Sequence, residues 1–271
     1  MRRHRFAIRA LFRLAQSLER LDRALHWAIV GMLTREDLDS MSADAWKTFG
    51  REEYFVASGL LSWESAVYGE FVRAADRILL IGSGSGRDLL ALRQAGHDIV
   101  GVEQSPATTA QAHALLRQHG LSAPIVETRF EQAAIPGAFD AIVFSWFSYC
   151  HIVGTDARVA ALRKALAHLA PGGRVLVPYV AIEAPLAQRA IQVARAAGRL
   201  TRSDWRAEPD DSFYAVAQRE PLYVYQHSFV RGEVETEAAR AGANTLAVRR
   251  YPDASVAVLT ARASDEPLPG A

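Results

Sequence analysis

Cysteine occurs once in 271 residues, at Cys150. A lone thiol excludes an internal disulfide and a cysteine-rich zinc site, and it suits a reducing, cytoplasmic setting. No uninterrupted apolar run approaches 18 residues, and no membrane-spanning helix is expected. The charges nearly cancel, 31 Lys and Arg against 30 Asp and Glu, which removes any global argument for a nucleic-acid partner. Internal repeats and low-complexity tracts are absent too, which excludes solenoids and long biased segments.

What remains is an ordinary globular composition, 50% hydrophobic and 23% charged, long enough for one sizeable α/β domain with extensions. The charge is uneven. Within the first 30 residues seven arginines face only Glu19 and Asp22, a local surplus of five, which leaves −4 for the remainder of a chain at +1. These charges recur through Arg23 with no clean hydrophobic core, so a secretory signal is not expected. Leu11, Leu14, Leu18, Leu21, Leu25 and Ile29 fall at steps of three or four, which predicts one apolar stripe along a helix of about 28 residues, roughly 42 Å. That stripe needs cover from its own domain, from a homodimer partner or from an anionic membrane surface.

The most informative stretch is 77–103, RILLIGSGSGRDLLALRQAGHDIVGVE. Residues 78–81 read as a strand buried on both faces, and Gly82 to Gly86 break it with no large side chain. Leu89, Leu90 and Leu92 then give a helix pattern with Asp88 in its first turn, where a carboxylate suits the helix dipole. Gly96 ends the helix. A second buried strand, 99–102, stops at Glu103, about 20 residues after the first glycine, the spacing at which an acid reaches a ribose hydroxyl in a βαβ nucleotide site. The glycines are spaced G-x-G-x-G, however, and Arg87 occupies the position that a dinucleotide fingerprint gives to its third glycine.

This shorter spacing resembles the first motif of the class I methyltransferases dependent on S-adenosylmethionine, and three later stretches extend the resemblance over about residues 78–261. FEQAAIPGAFDAIVFSW, 130–146, is similar to the family's stretch in which an acid contacts the adenine amino group and a Phe-Asp pair, here Phe139 and Asp140, leads into the fourth strand. LAPGGRVLV, from Leu169, resembles the Pro-Gly-Gly turn that reverses the chain into the fifth strand. YVYQHSFVRGEVETEAARAGANTLAVRR resembles the closing pattern, with His227 structural and a hairpin of 246–249 and 256–260 completing the sheet.

The resemblance implies an α/β fold: a seven-stranded, mostly parallel, doubly wound sheet of strand order 3-2-1-4-5-7-6, with an N-terminal helical extension and cap at 1–72, the binding domain at 73–263 and a frayed tail at 264–271. Its cofactor would be S-adenosyl-L-methionine, leaving as S-adenosyl-L-homocysteine. Gly82, Ser83, Gly84 and Gly86 would lie beside the amino-acid and sulfonium part, Glu103 and Gln104 beside the ribose, and Phe130 and Glu131 beside the adenine. Leu80 stands where many relatives carry an acid, so the methionine amino group is expected to lean on backbone carbonyls or on Asp88. Ser145 closes the fourth strand, where methyl group and acceptor should meet.

The same logic places the acceptor chemistry on 145–151, with His151 as a candidate general base and Tyr149 beside it. Cys150 reads as a small buried residue. The family's cap suggests Tyr54, Trp63 and Glu64 as lining. Residues 181–215, with a helix near 184–197, are expected to form a substrate lid carrying Trp205, Asp210, Asp211 and Tyr214. The function implied is methyl transfer to a small-molecule oxygen, nitrogen or sulfur acceptor by in-line displacement, without a covalent nucleophile or metal. Two alternatives stay open: a non-catalytic subunit of the same fold, and a nicotinamide-dependent oxidoreductase, against which Arg87 and the Pro-Gly-Gly turn speak.

Overall fold

The computed structural model describes residues 2–49, 59–183, 188–216 and 222–262. Apolar runs buried on both faces become the centre of a seven-stranded sheet, as expected where helices cover both sides. Its strands are β1 (Arg77–Ile81), β2 (Asp98–Glu103), β3 (Ile125–Glu127), β4 (Phe139–Phe144), β5 (Leu169–Tyr179), β8 (Ala243–Arg250) and β9 (Ser255–Ala261). Their order is β3-β2-β1-β4-β5-β9-β8, with β9 antiparallel to both neighbours. Counted among sheet strands alone this is 3-2-1-4-5-7-6. The labels differ because two further strands, β6 (Asp211–Val216) and β7 (Leu222–His227), pair with each other as a separate antiparallel ribbon.

Alternation along β1 divides the core. Ile78 and Leu80 pack against α3 (Ser62–Phe71), α4 (Arg87–Gln94) and α5 (Pro106–Gln118), while Leu79 and Ile81 face α6 (Thr155–Ala167) and α8 (Glu233–Ala241). Ser105 caps α5, its side chain accepting from the Thr108 amide at 3.4 Å, and Pro106 fills the first helical position. Gly86 begins α4 at φ 96°, and a Cβ there would fall 2.9 Å from the Ala112 backbone. Its lack of a side chain lets α4 and α5 approach.

One local expectation changes. The Pro-Gly-Gly segment lies inside β5, where the register against β4 shifts between Phe139 and Ala141. It is a bulge, with Gly172 at φ 74°, instead of a turn preceding the strand. The described residues of the expected lid build α7 (Gln188–Thr201) and most of β6, which with β7 pack with α1 (Arg2–Met32) and α2 (Arg35–Phe49) around Val30, Leu38, Ile191, Trp205 and Tyr223.

The N-terminal helix forms as the periodicity requires, but its leucine stripe is not the face that meets the domain. Leu11, Leu14, Leu18, Leu21 and Leu25 are each more than half exposed. Contact comes from the opposite side, where Trp27 and Val30 join the ribbon cluster and Gly31 crosses α7 so closely that a Cβ would sit 2.2 Å from the Ala194 carbonyl oxygen. Small residues allow this crossing, and the hydrophobic pattern pointed elsewhere.

One polar network is built into this second layer. Arg158, fully buried, pairs with Glu237 at 2.8 Å and Glu208 at 3.1 Å and lies over the Phe229 ring. Asp211 accepts from the Tyr225 hydroxyl at 2.7 Å and meets His227 Nδ1 at 2.8 Å, while His227 Nε2 reaches Glu233 at 3.0 Å. Each charge therefore has a partner, as burial demands.

Candidate active site

The glycine loop sits beyond the carboxyl end of β1, the place where open α/β sheets bind ligands. Gly82, Gly84 and Gly86 all have positive φ. The amides of Gly82 and Ser83 donate to the Val102 carbonyl at 2.9 and 3.1 Å, which ties the loop to the end of β2. Glu103 completes the tie. Its carboxylate accepts from the Gly84 amide at 2.8 Å and from the Ser105 amide at 2.9 Å, so one side chain splints the two loops.

Beneath the loop lies a buried charge cluster. Arg87 pairs with Glu64 and with Asp88. Asp88 also accepts from the Ser145 hydroxyl at 3.0 Å and from the Tyr68 hydroxyl at 3.4 Å. Burial, with the Asp88 charge adding to it, pushes the Glu64 carboxyl up to about 7. Arg87, which stands where a dinucleotide fold would have glycine, is thus the cation that holds two interior carboxylates together.

A cavity of about 700 Å³ opens above this base. It is lined by Gly82, Ser83, Gly84, Asp88, Glu103, Gln104, Phe130, Glu131 and Ser145, which the structure brings together as the sequence predicted. Gly86 is not part of the lining; its role is the α4–α5 contact. The Ser83 hydroxyl is buried against Gly101 of β2, where a Cβ would fall 2.9 Å from it, so the glycine makes room for this turn of the loop. A space with glycine backbone on one side, a carboxylate at its edge and Phe130 beyond fits a nucleoside cofactor with an amino-acid tail.

The cavity continues away from the glycine loop to a second wall. Arg35, Asp39, Ala43 and Trp46 contribute it from α2, at steps of four, four and three that place them on one helical face. The Trp46 ring meets Trp146 and His151 edge-to-face, with centroids 5.7 and 5.2 Å apart. Asp39 pairs with Arg129 at 2.5 Å; burial, only partly offset by Arg129, pushes its carboxyl up to about 6. Trp146 and Phe147 follow β4 at φ 30° and 59°, a backbone that aims 145–151 across the cavity mouth.

His151 lines this second wall, and its Nδ1 lies 2.6 Å from the Tyr225 carbonyl oxygen. A carbonyl only accepts, so Nδ1 carries the proton and Nε2 is the basic nitrogen. Burial lowers the imidazole from its ordinary range, with the carbonyl contact acting in the opposite sense. The neutral ring is therefore the resident form at pH 7.

Other predicted residues lie elsewhere. Tyr149 is fully buried and donates to Glu237 at 2.5 Å, so its hydroxyl faces the ion network and not the cavity. Trp63 packs against Phe147, in the core. Trp205 donates its indole N–H to the Leu33 carbonyl at 3.0 Å, and Tyr214 donates to Gln226 at 2.8 Å, both outside the lining. Tyr54 and the tail 264–271 fall outside the described residues. Cys150 is buried, and burial pushes its thiol up to about 12, which removes it as a nucleophile at neutral pH. Glu208, Asp211 and His227 converge as a metal site would, yet their donors are already spent on Thr155, Tyr225, Glu233 and the Arg158 cation. Sequence reasoning missed Arg35, Asp39 and Trp46. Their shared helical spacing was the available signal.

Comparison with known proteins agrees with this geometry. Residues 78–173 match the family described as a methyltransferase domain. The ribosomal protein L11 methyltransferase of Thermus thermophilus is 31% identical over 121 residues, covering 44% of this chain and 45% of the relative, so the chain matches less than half the length of that curated protein. Among solved structures, the CcbJ methyltransferase from Streptomyces caelestis superimposes with a TM-score of 0.57 at 16% identity, covering 73% of this chain and 88% of that one. The glycopeptide N-methyltransferase MtfA, solved with S-adenosyl-L-homocysteine, gives 0.54 at 13% identity over 72% and 87%. Among the described residues no helix is long and apolar enough to cross a membrane. Residues 78–173 thus match a methyltransferase domain, and the sheet that carries them shares the fold of the solved methyltransferases.

Proposed function

We propose that this protein transfers the methyl group of S-adenosyl-L-methionine to a small-molecule acceptor through an oxygen, nitrogen or sulfur nucleophile. The observation that carries the reading is one continuous cavity running from the glycine loop to His151 and Trp46. When bound, the cofactor supplies an electrophilic methyl group on a sulfonium. Gly82, Ser83 and Gly84 would hold its amino-acid end, Glu103 and Gln104 its ribose, and Phe130 with Glu131 its adenine. Asp88, already engaged by Ser145, Tyr68 and Arg87, keeps the floor rigid.

The protein's own contribution is orientation and proton removal. Trp46 and Trp146, set edge-to-face, give the acceptor an apolar corner, and Arg35 and Asp39 give it polar handles. His151 Nε2 takes the acceptor's proton while its Nδ1–H stays on the Tyr225 carbonyl, which fixes tautomer and ring angle together. In this assignment 73–263 binds the cofactor and 1–72 caps the acceptor through α2. A reducing, cytoplasmic setting accords with the single buried thiol.

Support for a small acceptor comes from the enclosing α2 wall and from the glycopeptide N-methyltransferase among the structural neighbours. The Thermus relative is named for a ribosomal protein, which makes a protein acceptor the competing outcome. Labelled S-adenosylmethionine with a panel of small amines, alcohols and thiols, and with ribosomal proteins, separates the two. Labelled small product supports the assignment; label on protein alone overturns it.

A further inference from the structure

The leucine stripe of α1 leaves the molecule without cover. Leu11, Leu14, Leu18, Leu21 and Leu25 are exposed by 55–66%, and Ile29 by 42%, on a helix whose other side packs on α7. Exposed side chains of this size contribute on the order of 100 Å² each, so six of them offer about 600 Å² per partner, or about 1,200 Å² for a pair, the low end of a stable interface. An ordinary monomer does not leave so much contiguous apolar surface in water.

The spacing identifies the occupant. Steps of three and four repeated through five leucines are the a and d positions of a coiled coil, each heptad presenting a narrow seam to another helix. The positions flanking that seam are mostly small: Ala10, Ala15, Ser17 and Ala24, with Asp22 the one charge between them. A second helix can approach closely without meeting like charge. At 100° per residue the described arginines Arg9, Arg13, Arg20 and Arg23 fall opposite the leucines, so none of them enters the seam itself.

We propose that α1 pairs with α1 of a second copy of this chain, and that the pair is antiparallel. Of the seven arginines, five lie at or before Arg13, whereas Arg20 and Arg23 are balanced by Glu19 and Asp22. Parallel pairing would set the two basic ends side by side; antiparallel pairing separates them by roughly 30 Å, beyond the Debye length of ~8 Å at physiological salt. A dyad between Leu18 and Leu21 then lays Leu14 of each copy against Leu25 of the other.

Sedimentation equilibrium of the full chain should give a dimer at micromolar concentration. The double substitution Leu18→Glu with Leu21→Glu should give a monomer with unchanged far-UV circular dichroism and unchanged binding of S-adenosylhomocysteine. Both residues are solvent-facing in a single chain, so loss of the dimer separates from loss of the fold. Orientation is read by mixing Leu14→Cys and Leu25→Cys proteins under mild oxidation. Disulfide between the two different variants is expected; self-linked Leu14→Cys pairs would overturn the antiparallel arrangement. A wild-type monomer, including one that sediments with phosphatidylserine vesicles, or a dimer untouched by the glutamates would overturn the pairing itself.

Discussion

His151 holds its Nδ1 against the Tyr225 carbonyl oxygen at 2.6 Å, and this contact joins the loop after β4 to the ribbon strand β7. Because the carbonyl fixes which nitrogen is protonated, the ring meets the cavity as a neutral base. The substitution His151→Ala should lower kcat by about 10²- to 10⁴-fold, the usual contribution of a general base, with little change in cofactor affinity. Since burial lowers this imidazole, kcat/KM in the native enzyme should stay level through neutral pH and fall only on acidification below the ordinary histidine range. His151→Ala should erase that acid limb. An unchanged pH profile in the variant would remove His151 from proton transfer.

Trp46 reaches the cavity from α2 and touches Trp146 and His151 but belongs to no element of the glycine loop. Replacement by Ala should therefore act on the acceptor alone. We expect KM for the acceptor to rise about tenfold, in line with ~1–1.5 kcal/mol for lost aromatic contact, while the affinity for S-adenosylhomocysteine stays within twofold. Equal loss of both affinities would mean that Trp46 supports the whole cavity instead of one half.

His227 governs alkaline stability. Burial alone would lower its imidazole, but hydrogen bonds to Asp211 and Glu233 outweigh burial and push it up to about 9. A group whose pKa rises on folding binds protons more tightly in the native state. Its stabilisation is complete below the unfolded value near 6.5 and disappears as pH climbs through 9. Thermal unfolding followed from pH 6 to 10 should show a midpoint that falls across this window. In His227→Gln the slope should flatten, with a loss of about 3 kcal/mol at pH 7 because Asp211 keeps a buried charge without its cation. A native profile flat to pH 10 would contradict the ion-paired state.

Legibility in the sequence followed the physical signal available. The stretch 77–103 could be read because a strand buried on both faces, a glycine break and a terminal acid each leave an unambiguous residue pattern, and β8 and β9 followed from the closing pattern. The ribbon could not. Its interior carries Asp211, Gln226 and His227, and the helix beside it buries Arg158, so residues that read as surface are in fact partnered inside. The face by which α1 meets the domain is not legible for a related reason: its contact rests on Gly31 and Ala194, whose small size carries no hydrophobic periodicity. Tyr149 stands two residues from His151, and that step along a tight turn swings its hydroxyl from the cavity to Glu237. Arg35, Asp39 and Trp46 were hidden by the opposite effect, since two charges and a tryptophan at helical spacing resemble a solvated face until the cavity behind them is seen.

The central claim is that the cavity over the glycine loop binds an adenosyl amino acid, with Glu103 at its ribose end. Isothermal titration of the full chain with S-adenosyl-L-homocysteine tests it most directly. One molecule should bind per chain, and Glu103→Ala should weaken binding by about 10- to 100-fold, the loss of one or two hydrogen bonds to a charged group. No heat with S-adenosylhomocysteine, or binding of NADH in its place, would contradict the account.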